Sequence, residues 1–209
     1  MKKVERGFTL IELLMVMAII GILAAIVFVG ARPAGEQGRD TQRQADLRDV
    51  QTALELYKNK YGRYPERCSS SHSNWSGQAD SSTYACNNTS EPYILGDPSA
   101  DRPFAEFIVN LPLDSKLNGN NSGYVYTTNA DGSVYKFMVK NTVESEVVTA
   151  DHPFKSCKDG CDGSIAHCQA TNSQFESSYA VWGGLDAPSI DSTPAQIEEA
   201  TEDIICEIQ

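Results

Sequence analysis

Hydrophobic and polar positions divide this chain into three stretches with different periods. Residues 8–31 are apolar almost without a break, interrupted near their start by Thr9 and Glu12. Over residues 40–61 the apolar positions recur every third or fourth residue (Leu47, Val50, Leu54, Tyr57, Tyr61), with Arg, Gln, Asp and Lys between them. These two patterns predict one long helix, apolar all round in its first half and amphipathic in its second. Pro33, Gly35 and Gly38 mark the joint, where a proline removes a backbone hydrogen bond and introduces a kink; Gly62 and Pro65 predict the end. Farther along, alternation takes over. Residues 124–128 and 134–140 read as strands joined by an Asn129-Ala130-Asp131-Gly132 turn, residues 142–149 as a third strand, and residues 179–182 as a last one. The expected fold is α+β: a long amino-terminal helix whose amphipathic half lies on a small antiparallel sheet.

Two regions carry weaker patterns. Residues 68–92 are rich in Ser, Asn and Thr, with Trp75 and Tyr84 as their large apolar side chains, too little to build a core of their own. Near the carboxy end, Thr193-Pro194-Ala195-Gln196 resembles a capped helix start, followed by Ile197, Ala200, Ile204 and Ile208 on one side.

Charge changes the reading of the first stretch. Lys2, Lys3 and Arg6 precede it, whereas the whole 209-residue chain sets 28 acidic against 17 basic residues, a net of -11. An acidic surplus of that size argues against nucleic acid as a partner, because phosphates demand a basic face. The 24 residues 8–31 span about 36 Å as a helix, enough for a hydrocarbon core of roughly 30 Å. The flanking Lys2, Lys3 and Arg6 orient such a span with the remainder of the chain outside the cytoplasm. A removable signal peptide, cut after Val29-Gly30-Ala31, is the competing reading. Its apolar region is ordinarily about 7–15 residues, shorter than this one, and does not carry a carboxylate. Glu12 is costly in hydrocarbon and calls for a partner. Ala18, Gly21, Ala24 and Ala25 are small residues at near-helical spacing, which lets another helix approach closely.

All six cysteines (Cys68, Cys86, Cys157, Cys161, Cys168, Cys206) lie beyond the apolar stretch, an even number on the side expected to be oxidising. A Cys68–Cys86 bridge would restrain the polar loop, worth about 3 kcal/mol in the chain-entropy model. The other four permit three pairings, and Cys206 would pin the terminal helix. Cys157, Cys161 and Cys168 with His152 and His167 also read as a zinc site, but with no standard spacing, and no metal site is assigned. The three histidines (His72, His152, His167) sit in no nucleophile, metalloprotease or phosphate-loop pattern, so a tethered enzyme is not expected.

The segment Arg6-Gly7-Phe8-Thr9-Leu10-Ile11-Glu12-Leu13-Leu14 resembles the leader and processing site of type IV pilins and type II secretion pseudopilins. Tyr57-Lys58-Asn59-Lys60-Tyr61-Gly62-Arg63-Tyr64-Pro65 is similar to the helix exit of the major pseudopilin. The resemblance implies cleavage by a prepilin peptidase between Gly7 and Phe8, N-methylation of Phe8, and a role for Glu12 in assembly, countered by the Phe8 amine of a neighbouring subunit. Ala18, Gly21 and Ala25 would serve helix packing. It further implies a homo-oligomeric filament with other pilins or pseudopilins, driven by an inner-membrane platform protein and an assembly ATPase, the head lying outside the inner membrane. The implied domains are a leader (1–7), a membrane and filament-core helix (8–31), an amphipathic half (32–62) and an extracytoplasmic head (63–209). Major pseudopilins carry a calcium loop near the carboxy end; Asp159, Asp162, Asp186 and Asp191 supply oxygens here, without a spacing that assigns a site. No other cofactor is expected.

Overall fold

The computed structural model describes residues 8–68, 75–78, 92–97, 101–158, 161, 168 and 171–184, without the side chains of 26–32. The chain falls into two compact units, Met1–Arg39 and Asp40–Gln209. Helix α1 runs Leu10–Tyr61 and carries Pro33 inside it, so the expected long helix is present. Gly62 ends it. Its φ of +79° is the left-handed conformation that suits glycine, and its N–H closes the last turn on the Lys58 carbonyl at 2.7 Å.

In the first unit every described side chain from Phe8 to Ala25 is exposed. Twelve large apolar side chains from Phe8 to Leu23 are exposed, Phe8 at 91 % and Ile19, the least, at 51 %. Among the described residues no helix is long and apolar enough to cross a membrane. The expected span of residues 8–31 extends into side chains outside the described ones.

In the second unit the amphipathic half behaves as its period requires. Leu47, Val50, Leu54 and Tyr57 are fully buried, Ala53 nearly so, and Tyr61 packs at the edge. They meet a four-stranded antiparallel sheet in the order β2 (Ser76–Gly77), β5 (Gly123–Thr128), β6 (Val134–Lys140), β7 (Tyr179–Gly184). A smaller sheet pairs β1 (Glu66–Arg67), β3 (Ile94–Asp97) and β4 (Arg102–Pro103). In the larger sheet Tyr126 faces Phe137, and Phe137 faces Val181. These positions share a face with Tyr124, Tyr135, Val139 and Tyr179, because side chains alternate along a strand. Phe137 stacks between Tyr124 (5.6 Å) and Tyr93 (6.3 Å), while Tyr57 meets Phe104 and Phe107 edge-on. The β5–β6 turn falls on Asn129–Gly132 as expected; Gly132 has a φ of +69°, and its carbonyl accepts the Tyr64 N–H at 2.7 Å. A short helix α2 (Ser173–Glu176), capped by Asn172, precedes β7.

Three expectations change. Residues 142–149 are a loop rather than a strand. Their backbone donors are taken elsewhere: Thr142 and Val143 bond to the Ser177 carbonyl, Val148 to Glu176, and Glu144 and Ser145 to the Asp40 carboxylate. Second, the last strand extends through Gly183 and Gly184. Third, the polar loop contributes to the common core, with Trp75 1 % exposed and Ser76–Gly77 paired to β5. The 193–208 helix lies outside the described residues.

Cys157 and Cys168 form a disulfide, with Cα atoms 5.7 Å apart, so their sulfurs are not available as thiolate ligands for zinc. Cys68 and Cys161 are disulfide-bonded too, and Cys86 and Cys206 lie outside the described residues. Peptide mapping of the unreduced protein should return Cys157 joined to Cys168, Cys68 to Cys86, and Cys161 to Cys206. A Cys68–Cys206 peptide would overturn the expected loop restraint.

Candidate assembly site

The amino-terminal end of α1 is built by Thr9 and Glu12. The Thr9 N–H and hydroxyl both donate to Glu12 Oε2, at 2.9 and 2.7 Å, and the Glu12 N–H lies 3.4 Å from Thr9 Oγ1. The Thr9 carbonyl accepts from Leu13 at 3.3 Å. This is a capping box, in which a threonine and the glutamate three residues on satisfy backbone donors that the first helical turn leaves open. Glu12 is therefore held by its own chain, with its carboxylate turned toward the residue after Phe8.

Of the other expected assembly residues, Ala18, Gly21 and Ala25 are exposed on the helix. A Cβ built on Gly21 would meet nothing within 4 Å, so no contact inside this chain requires a glycine there. Gly7, Cys86, Cys206, His72, His167, Asp159, Asp162, Asp186 and Asp191 lie outside the described residues. His152 is a packing residue. It stacks on Tyr179 at 5.1 Å, its Nδ1 accepts the Phe154 N–H, and its Nε2 lies 3.2 Å from Glu146. Among the described residues no group of His, Cys, Asp and Glu is arranged to hold a metal ion.

The head contains a charged cluster that the sequence reading passed over. Arg43 forks onto Asp114 (Nε 2.7 Å, Nη2 2.9 Å), reaches Asp40 at 2.6 Å and Glu144 at 3.2 Å, with its own side chain 3 % exposed. Lys116 pairs with the outer oxygen of Glu144. Gln78 clamps Asp114 by its backbone, donating to the carbonyl at 2.7 Å and accepting the N–H at 2.8 Å. Burial alone would push the Asp40 carboxyl up. The hydroxyl and N–H of Ser145, with Arg43 and the Glu144 N–H, outweigh it and hold Asp40 below its ordinary value. Burial opposes the charge on Arg43 as well, but Asp114 and Asp40 raise its pKa above the usual guanidinium value. The signal for this cluster was in the helix period: Asp40 and Arg43 continue the stripe of Leu47, Val50 and Leu54, and so had to face the head.

Comparison with known proteins bears on the amino-terminal segment. Residues 2–28 match the family model described as the prokaryotic N-terminal methylation motif. The chain is similar to the type II secretion system core protein G of Pseudomonas aeruginosa, 36 % identical over 64 residues, which is 31 % of this chain and 45 % of that protein. The core protein G of Klebsiella pneumoniae is 36 % identical over 61 residues, 29 % of this chain and 44 % of the relative. The type IV wide pilus major component PilA4 of Thermus thermophilus is 45 % identical over 53 residues, 25 % and 40 % of the two chains. The chain thus spans less than half the length of these curated relatives. No solved structure matches it.

Proposed function

We propose that this chain is a structural subunit of a pilus-like filament, a pseudopilin of a type II protein secretion system. The observation that carries this reading is a methylation motif over residues 2–28 at the head of a helix whose large apolar side chains stand exposed from Phe8 to Leu23. A prepilin peptidase cuts between Gly7 and Phe8, and the new amine of Phe8 is methylated. Residues 8–31 hold the subunit in the inner membrane, with the head outside the cytoplasm, and later form the filament core through Ala18, Gly21 and Ala25. There Glu12 exchanges part of its bonding to Thr9 for the Phe8 ammonium of a neighbouring copy. The pairing is favourable because lipid and packed helices exclude the water that would otherwise screen it. A platform protein and an assembly ATPase supply the work.

A type IV pilus subunit is the second reading, favoured by the Thermus relative, whose identity of 45 % exceeds that of the secretion proteins over a shorter span. Neighbouring genes separate the two: secretin and secretion components mark export, and a retraction ATPase marks a pilus. The chain-level test is the intact mass of membrane-extracted protein. The expected species lacks residues 1–7 and carries one added methyl group on Phe8. A polypeptide beginning at Arg32 would overturn the assignment in favour of ordinary secretion.

A further inference from the structure

Of the eleven asparagines in the chain, Asn118 alone is followed by a glycine. The pair Asn118-Gly119 lies in the loop that leads into β5, and both residues are exposed. Gly119 has a φ of +84°, and a Cβ built on it would meet nothing within 4 Å, so the space around its nitrogen is open. Among the described residues the Gly119 N–H donates no hydrogen bond, and the Asn118 side-chain amide makes none. Ser122 holds the turn from below. Its hydroxyl accepts the Asn118 N–H at 2.8 Å and donates to the Gly119 carbonyl at 2.7 Å, which leaves the glycine nitrogen and the asparagine amide unoccupied. Other asparagines of the head are tied down. Asn121 accepts from Lys140 at 3.1 Å, Asn129 accepts the N–H groups of Ser133 and Val134 at 2.9 and 3.0 Å, and Asn172 accepts that of Gln174 at 2.9 Å.

From this geometry we infer that Asn118 is a site of covalent self-modification, in which the backbone nitrogen of Gly119 closes on the Asn118 side chain. The glycine nitrogen gives its proton to water and attacks Asn118 Cγ. A new N–C bond forms, the Cγ–Nδ2 bond breaks, and the amide nitrogen takes up protons from solvent and leaves as ammonia. Water then opens the cyclic imide at one of its two carbonyls, giving aspartate or isoaspartate at position 118. Water is the sole co-reactant, and exposure of the turn supplies it. Glycine favours ring closure because it has no side chain to crowd the ring and leaves the backbone free to turn. Asn118 lines one cleft of the head together with Lys116 and Glu144, so the product changes the charge of that surface by one carboxylate. Isoaspartate also lengthens the main chain by one methylene just ahead of β5. The inference does not depend on filament formation, so a subunit that never assembles can still be scored.

The experiment incubates the mature full-length chain in detergent and heavy-oxygen water, at neutral and at mildly alkaline pH. Digestion with trypsin in ordinary water follows, so that only conversion during the incubation carries the label. Mass spectrometry of the peptide 117–136 compares Asn118 with Asn120, Asn121 and Asn129 in the same molecule. Electron-transfer fragmentation tells isoaspartate from aspartate. Asn118 should convert severalfold faster than each of the other three, faster still at the higher pH, and with isoaspartate among the products. Gly119→Ala should slow the conversion severalfold. Its position is exposed with open space around it, and the within-peptide comparison in the wild type decides the matter even if that variant fails to fold. A rate at Asn118 no greater than at Asn120, an equal rate in Gly119→Ala, or aspartate formed without isoaspartate would each overturn the assignment.

Discussion

Glu12→Ala is expected to insert into the membrane and to be cleaved and methylated, yet to enter filaments at least a hundredfold less efficiently than the wild type. Two effects add. The alanine leaves the Phe8 ammonium of a neighbour without its counter-ion, and removing one partner of a buried charge pair costs about 2–5 kcal/mol. It also removes the acceptor for the Thr9 N–H and hydroxyl, which loosens the first helical turn. Glu12→Gln separates the two. An amide oxygen still accepts from Thr9, so the capping box survives, but no charge remains to meet the ammonium. Filament yield measured by shearing and immunoblotting should fall nearly as far for Glu12→Gln as for Glu12→Ala, because the lost charge pairing is the larger of the two effects. Normal filaments from the glutamine variant would show that Glu12 serves only as a helix cap, and the pairing between subunits would have to be abandoned.

The second large effect lies in the head. Arg43→Ala removes the one cation that Asp40, Asp114 and Glu144 share, leaving three carboxylates in a site where Asp40 and Asp114 are 3 % and 2 % exposed. Breaking a buried ion cluster from one side costs about 3–5 kcal/mol, a large part of the stability of a domain this size. Urea unfolding followed by tryptophan fluorescence should show an unfolding free energy lower by that amount, and with it a lower midpoint. Arg43→Lys, which keeps the charge but cannot fork onto Asp114, should lose less. The acid dependence has a definite sign. Asp40 titrates below its ordinary value near 3.8 in the folded protein, so its contribution is complete above that pH and fades as the pH falls toward the folded value. The gap between wild type and Arg43→Ala should accordingly narrow as the pH falls below about 3.8. An unchanged midpoint in Arg43→Ala would mean that the 142–149 loop is held to the helix by something other than this cluster.

The same loop shows where reading residues in order stops working. Its alternation of Val143 and Val147 with polar neighbours is a fair strand pattern, and a strand needs only a partner edge. Here the Asp40 carboxylate, some hundred residues earlier, takes the N–H groups of Glu144 and Ser145, and Ser177 takes those of Thr142 and Val143. No window along the chain contains that competition. Trp75 is a similar case: its polar surroundings read as loop, and its burial in the common core is a property of the assembled head.

What the sequence alone determined is local or periodic. The helix from Leu10 to Tyr61, its stop at Gly62, the buried stripe, strands β5 and β6 with the turn between them, and the Gly7-Phe8/Glu12 motif all follow from spacing, turn chemistry and one costly carboxylate. Only the tertiary structure decided that Asp40, Arg43, Asp114 and Glu144 meet, and that Cys157 pairs with Cys168. The reason is distance along the chain. Propensities and periods act over a few residues, whereas ion pairs, disulfides and cavities depend on which remote segments packing brings together.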